Sequence, residues 1–301
     1  MPEKTVTMQQ FGHWGRFANQ LFQYALLSGY AKRHALQLQL PPWVGGELFG
    51  LETAPVTLDL PPLLESNDCT QQAFPPHDGE LTGRDFRGYA QYHTSFYAED
   101  KERIRDLFQP VPDIRRRLEP AINRLRASGD SLIGIHLRRG DYGRNIFPII
   151  PTSWYLAWLK EHWGRFKGPV LLIATETPAL VEEFDDYAPV TTEGLGVQLK
   201  TQRHQHYNYL PRDTRVREPW QLDFYPDFYL LQHCDVIVAP SSTFSFMAAM
   251  LNPVLLEFWR ASLALEGFER LDPWNAYPLL HEDVRDYSHL EGIELKENPY
   301  W

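Results

Sequence analysis

Two rhythms of apolar and polar residues run along this chain. Phe17, Leu21, Tyr24 and Ala25 recur at helical spacing, which predicts a helix over 17–33. Ile114, Leu118, Ile122 and Leu125 share one helical face, and Ser128-Gly129-Asp130 stops that helix. The alternation Leu36-Gln-Leu-Gln-Leu40 predicts a strand ended by Pro41-Pro42. Residues 4–11 predict a first strand, and Gly12-His13-Trp14-Gly15 a tight loop after it. The Pro-, Gly- and acid-rich stretch 41–85 predicts loops.

From residue 131 onward, short apolar runs alternate with helical segments. Buried strands are expected at 131–137, 170–174, 235–239 and 254–258. Helices are expected over 153–163, from Thr177-Pro178 onward, over 228–234, and from a Ser241-Ser242-Thr243 cap to Leu251. Trp154, Trp158 and Trp163 read as a core stripe of the first of these helices. Alternating strands and helices build a parallel sheet with right-handed crossovers, and ligands sit beyond the carboxyl ends of such strands.

At 301 residues the chain is long enough for two domains of roughly 150 each. Its composition, 43% apolar and 23% charged, is globular. A net charge of −10 argues against general nucleic-acid binding, so an anionic ligand must be met by local positive groups. Cys69 and Cys234 stand far apart, which excludes a disulfide scaffold and a CxxC zinc pair and suits a reducing compartment. There is no P-loop, Gly-x-Gly-x-x-Gly, Gly-x-Ser-x-Gly or Asp-x-Asp, the last being a common metal-holding arrangement of sugar-nucleotide enzymes.

Three segments can carry chemistry. In His136-Leu-Arg138-Arg139-Gly140-Asp141-Tyr142, two guanidiniums follow a strand beside a carboxylate. An arginine there can hold a phosphate through two parallel hydrogen bonds, and Asp141 can orient it or deprotonate a hydroxyl; an ion pair on a solvated turn is the ordinary alternative. In Ser241-Ser242-Thr243-Phe244-Ser245, hydroxyls and backbone N–H groups meet at a helix start, suiting either a phosphate or plain capping. In Gly12-His13-Trp14-Gly15-Arg16-Phe17-Ala18-Asn19-Gln20, a glycine loop feeds a helix carrying two amides, and His13 can act as a base or simply face water. His204 and His206 have metal-ligand spacing without an evident third partner and read as a surface loop. Tyr89, Tyr92, His93, Phe96 and Tyr97 can line an acceptor groove, although core packing suits them better.

Together these segments resemble the alpha-1,2-fucosyltransferases of glycosyltransferase family 11. Residues 15–25 are similar to the family's Gly-x-Gly-Asn-Gln-x-Phe-Gln-Tyr-Ala, and 136–142 match its His-x-Arg-Arg-Gly-Asp-Tyr without a change. Ser242-Thr-Phe-Ser245 with Ala248, Ala249 and Leu251 resembles the C-terminal motif, and Gly88-Tyr89 with Gln91 its Gly-Tyr-x-Gln segment. Asp227-Phe-Tyr-Leu-Leu-x-x-Cys234 resembles the stretch preceding the third motif. The matches run in family order.

The resemblance implies an α/β, GT-B-type fold of two Rossmann-like halves facing across a cleft. We divide the chain at 1–128 and 129–301, with the last helices expected to pack back on the first half. It further implies GDP-fucose as donor, a galactoside-type glycan acceptor, inversion at C1, and no required metal or cofactor. Arg138 then holds the diphosphate, with His136, Arg139, Ser241, Ser242, Thr243, Phe244, Glu176 and Gly15 lining the donor. Asn19 lies close to the sugar or diphosphate. Asp141, His13 and Glu176 are base candidates with no order among them.

The sequence departs from the family at Ala18, where Gly is usual, and at Phe246, Met247 and Met250, which replace tryptophans. Ala174-Thr-Glu-Thr177 stands where an Asp-rich turn is usual. Residues 194–220, with Arg203, His204, His206, Arg212, Arg215 and Arg217, form a basic stretch suited to a lid or acceptor loop. A fucosyltransferase of another linkage (alpha-1,6 or protein O-linked) and a non-catalytic glycan-binding protein are the rivals. With no apolar run near the ~18 residues of a membrane span and no anchor, a cytoplasmic bacterial enzyme or a shortened form is expected. Contact with the inner face of the membrane is compatible with this; the oligomeric state is left open.

Overall fold

The computed structural model describes residues 4–65, 74–143, 147–199, 205–207, 217–219, 222–280 and 284–294. The chain divides into two units, Met1–Arg115 with Lys200–Leu222, and Arg116–Leu199 with Asp223–Trp301. The first unit begins with β1 (Thr5–Thr7), α1 (Phe17–Arg33) and β2 (Gln37–Gln39). The predicted first strand over 4–11 is thus only three residues long, because Phe11 N and His13 N already bond back to Met8 and Gln10 carbonyls in turns. α1 matches its predicted span and is buried almost all round, Gln20 and Gln23 included. Its Lys32 and Arg33 face the negative end of the helix dipole.

The stretch expected as loops contains more order than its composition suggested. It holds α2 (Val44–Phe49) and β3 (Pro62–Leu64), followed by β4 (Asp85–Arg87). α2 ends at Gly50 in a left-handed conformation, the usual glycine stop. The sheet order is β2-β1-β4-β3, with every pair parallel. A 3-10 helix, Thr94–Asp100, then leads into α3 (Lys101–Leu107). Tyr92 and Tyr97 are buried in the core, as their preferred reading had it, while Phe96 is 38% exposed.

α4 (Pro112–Ser128) carries the chain into the second unit. The contacts therefore divide the chain near the start of α4, whereas the sequence reading divided it after the helix. From α4, Arg117 and Arg124 donate to the Gln198 and Leu195 carbonyls of the second unit, and Arg126 to Asp235. β5 (Ser131–Leu137), α5 (Thr152–His162) and β6 (Pro169–Thr175) follow at their predicted places. A two-stranded antiparallel ribbon, β7 (Gln205–Tyr207) with β8 (Arg217–Pro219), interrupts the basic stretch. The rest of that stretch, with Arg203, His204, Arg212 and Arg215, lies outside the described residues, as do the side chains of His206 and Arg217.

α6 (Tyr225–Leu231), β9 (Val236–Ala239), α7 (Thr243–Leu251), β10 (Glu257–Ser262) and β11 (Gly267–Leu271) complete the unit. The sheet order is β11-β10-β9-β5-β6, parallel except for the antiparallel edge strand β11, which the sequence reading missed. α6 starts three residues earlier than predicted. β10 starts three residues later, because Leu256 N and Glu257 N both turn to the Asp235 carbonyl and Val254 N to Asn252 Oδ1 before the ladder begins. The segment after Thr177-Pro178 is a 3-10 helix, Pro178–Tyr187. Thr177 and Ser242 precede their helices without a side-chain capping bond, against the expectation. The core holds Ile133, Ile135 and Leu137 of β5 with Trp158 of α5, and Trp154 and Trp163 pack against it. Gly134 admits α6 closely: a Cβ there would meet Leu231 Cδ2 at 2.8 Å and Cys234 Sγ at 2.9 Å. Among the described residues no helix is long and apolar enough to cross a membrane, and no group of acidic, His or Cys side chains could hold a metal.

Candidate functional site

Parallel pairing of β5 with β9, from Ile133 opposite Val236 to Ile135 opposite Val238, brings their carboxyl ends side by side. Two loops a hundred residues apart in sequence therefore meet: 138–143 after β5, and 240–242 after β9. His136 joins them. Its Nδ1 lies 3.0 Å from Ser245 Oγ, its ring 5.2 Å from that of Phe244, and Tyr155 donates to its backbone carbonyl at 3.1 Å. Burial, reinforced by the charges of Arg138 and Arg139, pushes its pKa down to about 3. His136 is thus a neutral, buried link between the loops and not a cation facing a ligand.

Arg138 stands between two carboxylates. Its Nη2 bonds Asp141 Oδ1 and its Nη1 lies 3.3 Å from Glu176 Oε1. Its guanidinium also lies 5.3 Å from the Tyr142 ring centroid. Burial opposes the charge on Arg138, but Asp141 and Glu176 outweigh it and raise the pKa. Glu176 Oε1 also accepts the Arg139 backbone N–H at 2.8 Å, which fixes the turn. Gly140 suits that turn, because a Cβ there would meet the same carboxylate oxygen at 3.0 Å. Arg139 donates to Thr152 Oγ1 and to the Arg138 carbonyl. The two guanidiniums and two carboxylates balance in charge.

Ser241 is fully buried. Its hydroxyl accepts the Leu280 N–H at 3.0 Å and its carbonyl the Tyr142 hydroxyl at 3.0 Å. Burial, with the Ser242 hydrogen bond opposing, pushes the Tyr142 pKa up to about 12. Ser242 and Thr243 open α7 at the mouth of the loop. Asp227 on α6 accepts from Thr192 Oγ1 at 2.7 Å; burial, opposed by that bond and helped by the charges of Glu176 and Asp223, raises its pKa to about 6. Neither Asp227 nor Tyr155 was singled out by sequence for a role here.

In the first unit the glycine loop and α1 form a second cluster. Gly15 has φ +87° and lies against Asn19, whose Nδ2 would be 1.7 Å from a Cβ there. Gln91 Nε2 donates to Asn19 Oδ1 at 2.7 Å. Gln23 Nε2 donates to the carbonyls of Trp14 and Gly88 at 2.8 and 3.0 Å. His13 lies in the loop, its N–H on the Gln10 carbonyl. The structure thus unites Arg138, Arg139, Asp141, Glu176, His136 and the Ser241–Phe244 segment in one unit, and Gly15, His13 and Asn19 in the other.

Comparison with known proteins accords with the motif resemblance. No family model matches the chain. Galactoside alpha-(1,2)-fucosyltransferase 1 of Leontocebus fuscicollis is 27% identical over 262 residues, covering 79% of this chain and 63% of that protein. The chain therefore spans less than two thirds of that relative's length. Among solved structures, NodZ alpha-1,6-fucosyltransferase soaked with GDP-fucose superposes with a TM-score of 0.52 at 14% identity, covering 89% of this chain and 99% of that one. A variant of Arabidopsis thaliana FUT1 in complex with GDP gives a TM-score of 0.55 at 13% identity, covering 89% and 74%. By sequence the chain is similar to alpha-1,2-fucosyltransferases, and its α/β, GT-B-type fold is the one shared by these solved fucosyltransferases.

Proposed function

We propose that the chain catalyses inverting, metal-independent transfer of L-fucose from GDP-fucose to a galactoside hydroxyl, forming an alpha-1,2 linkage. One observation carries the reading: the His136–Tyr142 loop and the Ser242–Thr243 helix start emerge side by side from adjacent parallel strands, where a sheet of this kind takes its ligand. The oxygen of the acceptor hydroxyl bonds to C1 of fucose on the face opposite the leaving group. The bond from C1 to the diphosphate oxygen breaks, and its electron pair leaves with GDP. The negative charge that develops there needs a counter-charge, and Arg138 supplies it. A guanidinium has five N–H donors; Asp141 and Glu176 engage two of its nitrogens, and the remaining donors can take diphosphate oxygens. The N–H groups at the start of α7 add to this. The acceptor proton passes to a carboxylate or to water; Asp141 and Glu176 already neighbour Arg138, and His13 belongs to the other unit. Arg138 and α7 do the electrostatic work that a divalent metal does elsewhere, so chelator should leave the reaction intact.

The test is GDP release from GDP-fucose in EDTA, with lactose and related galactosides, for the wild type and for Arg138→Ala and Arg138→Lys. Acceptor-dependent release is expected in the wild type. It should fall by roughly 10²-fold or more in both variants, since lysine is a point charge without the fork geometry. Normal kinetics in Arg138→Lys would overturn the phosphate assignment. Linkage analysis of the product decides between alpha-1,2 and the alpha-1,6 or protein O-linked alternatives. Glycan binding without any turnover would establish the non-catalytic reading.

A further inference from the structure

Tyr142 closes the arginine loop and then reaches out of it. Its N–H donates to the Arg139 carbonyl at 2.7 Å, so the chain turns back at once. The turn lays the phenol ring against the Arg138 guanidinium, whose carbon lies 5.3 Å from the ring centroid. At such a distance the face of the ring attracts the cation. Asp141 and Glu176 hold two nitrogens of the same guanidinium. The Phe147 ring, 5.3 Å away, packs against the phenol in turn.

The tip of the ring belongs to the other loop of this unit. The Tyr142 hydroxyl donates to the Ser241 carbonyl at 3.0 Å, and the Ser242 hydroxyl bonds the same oxygen. Tyr142 and Ser241 are both buried, so water has little access with which to replace that bond. Leu280 N–H holds the Ser241 hydroxyl at 3.0 Å, and the Ser242 carbonyl accepts Phe246 N–H at 3.0 Å as α7 begins. One side chain thus meets Arg138 with its face and the start of α7 with its tip. A phenol has two torsions and a rigid ring, so it sets a distance as well as a direction.

A diphosphate makes use of such a distance. Its two phosphoryl groups lie at a fixed spacing, and donors stabilise their charge best when already in place. We propose that Tyr142 is a positioning residue, which sets the spacing between the Arg138 guanidinium and the start of α7 to that of a nucleoside diphosphate. This rests on the fucosyl-transfer reading, in which those two groups hold GDP. Tyr142 acts through Arg138 and Ser241, not by contact with the donor.

The affinities for GDP and for guanosine, titrated by calorimetry, test this in the wild type, Tyr142→Phe and Tyr142→Met. Phe keeps the ring beside Arg138 and loses the hydroxyl; Met keeps apolar volume and loses both. GDP should bind roughly tenfold more weakly to Tyr142→Phe and roughly a hundredfold more weakly to Tyr142→Met. Guanosine, which has no phosphate to be placed, should bind all three proteins within about twofold. A merely structural role weakens both ligands alike or neither, and either pattern overturns the proposal. If Tyr142→Met does not fold, Tyr142→Phe, which lacks a single oxygen, decides alone. A wild type that does not prefer GDP to guanosine overturns the transfer reading and the proposal with it. A wild type with that preference, and variants that keep it in full, overturn the proposal alone.

Discussion

His136 sits 5% exposed between β5 and α7, with Nδ1 on Ser245 and two arginines following it in sequence. Its folded pKa of about 3 lies well below the ordinary histidine value, so below about pH 6.5 the unfolded chain binds a proton that the folded chain refuses. The stability this residue permits is present above that pH and is lost as pH falls toward 3, with a limiting slope of ~1.4 kcal/mol per pH unit. Urea midpoints measured from about pH 6.5 down to about pH 5, before most carboxylates titrate, should decline for the wild type. They should decline less for His136→Gln, which can keep a bond to Ser245 Oγ without a proton to gain. Identical slopes would mean that His136 is charged in the folded state. Its bond to Ser245 also links the strand that carries Arg138 to α7.

Elements are tied together by polar side chains whose partners are remote in sequence. Asp235, just before β9, accepts Leu132 N–H of β5 at 2.7 Å and both Nη atoms of Arg126 at 2.6 and 3.0 Å. Its carbonyl takes Leu256 N–H at 2.8 Å. One residue thus fastens α4, β5 and the approach to β10. Asp235→Ala leaves a strand N–H without an acceptor and the half-buried Arg126 guanidinium with the His233 carbonyl in place of the carboxylate, and should cost roughly 1–3 kcal/mol in chemical denaturation with an unchanged m-value. A loss below about 0.5 kcal/mol would show that water replaces the carboxylate.

The sequence made the repeating elements plain, because periodicity is local: α1 and β5 fall where their patterns put them. Elements fixed by distant partners escaped it. β3 is three residues of a Pro-rich stretch and exists because β4 lies beside it, and the Glu65 carboxylate gains its partners only when the Tyr89 and Ala90 N–H groups fold onto it. The glycine loop, the arginine loop and the Ser-Thr helix start were legible as chemistry. Gln91 and Asp227 stood in family-like segments, but their partners, Asn19 and Thr192, were not legible because they lie far away in sequence.

At the scale of the whole molecule, two α/β units divide the candidate chemistry: charge in the second, amides in the first. Each unit is bound by its own sheet, wholly parallel in the first and parallel but for β11 in the second, and an acidic chain keeps its arginine pair where two strands end. The second unit also contains Cys234, the one cysteine among the described residues. Its sulfur is buried against Gly134 of β5, and burial, with the nearby Asp235 charge adding, pushes the thiol pKa up. A thiol that is both inaccessible and protonated does not react with an alkylating reagent until α6 lifts from the sheet. With Cys69→Ser in place, the rate of alkylation at Cys234 should lie far below that of a free thiol and should rise with denaturant in step with unfolding of this unit. Labelling at the free-thiol rate in buffer would contradict the packing described. Cys234 is in effect a clock set between sheet and helix, and it would time the opening of the arginine-bearing half from within.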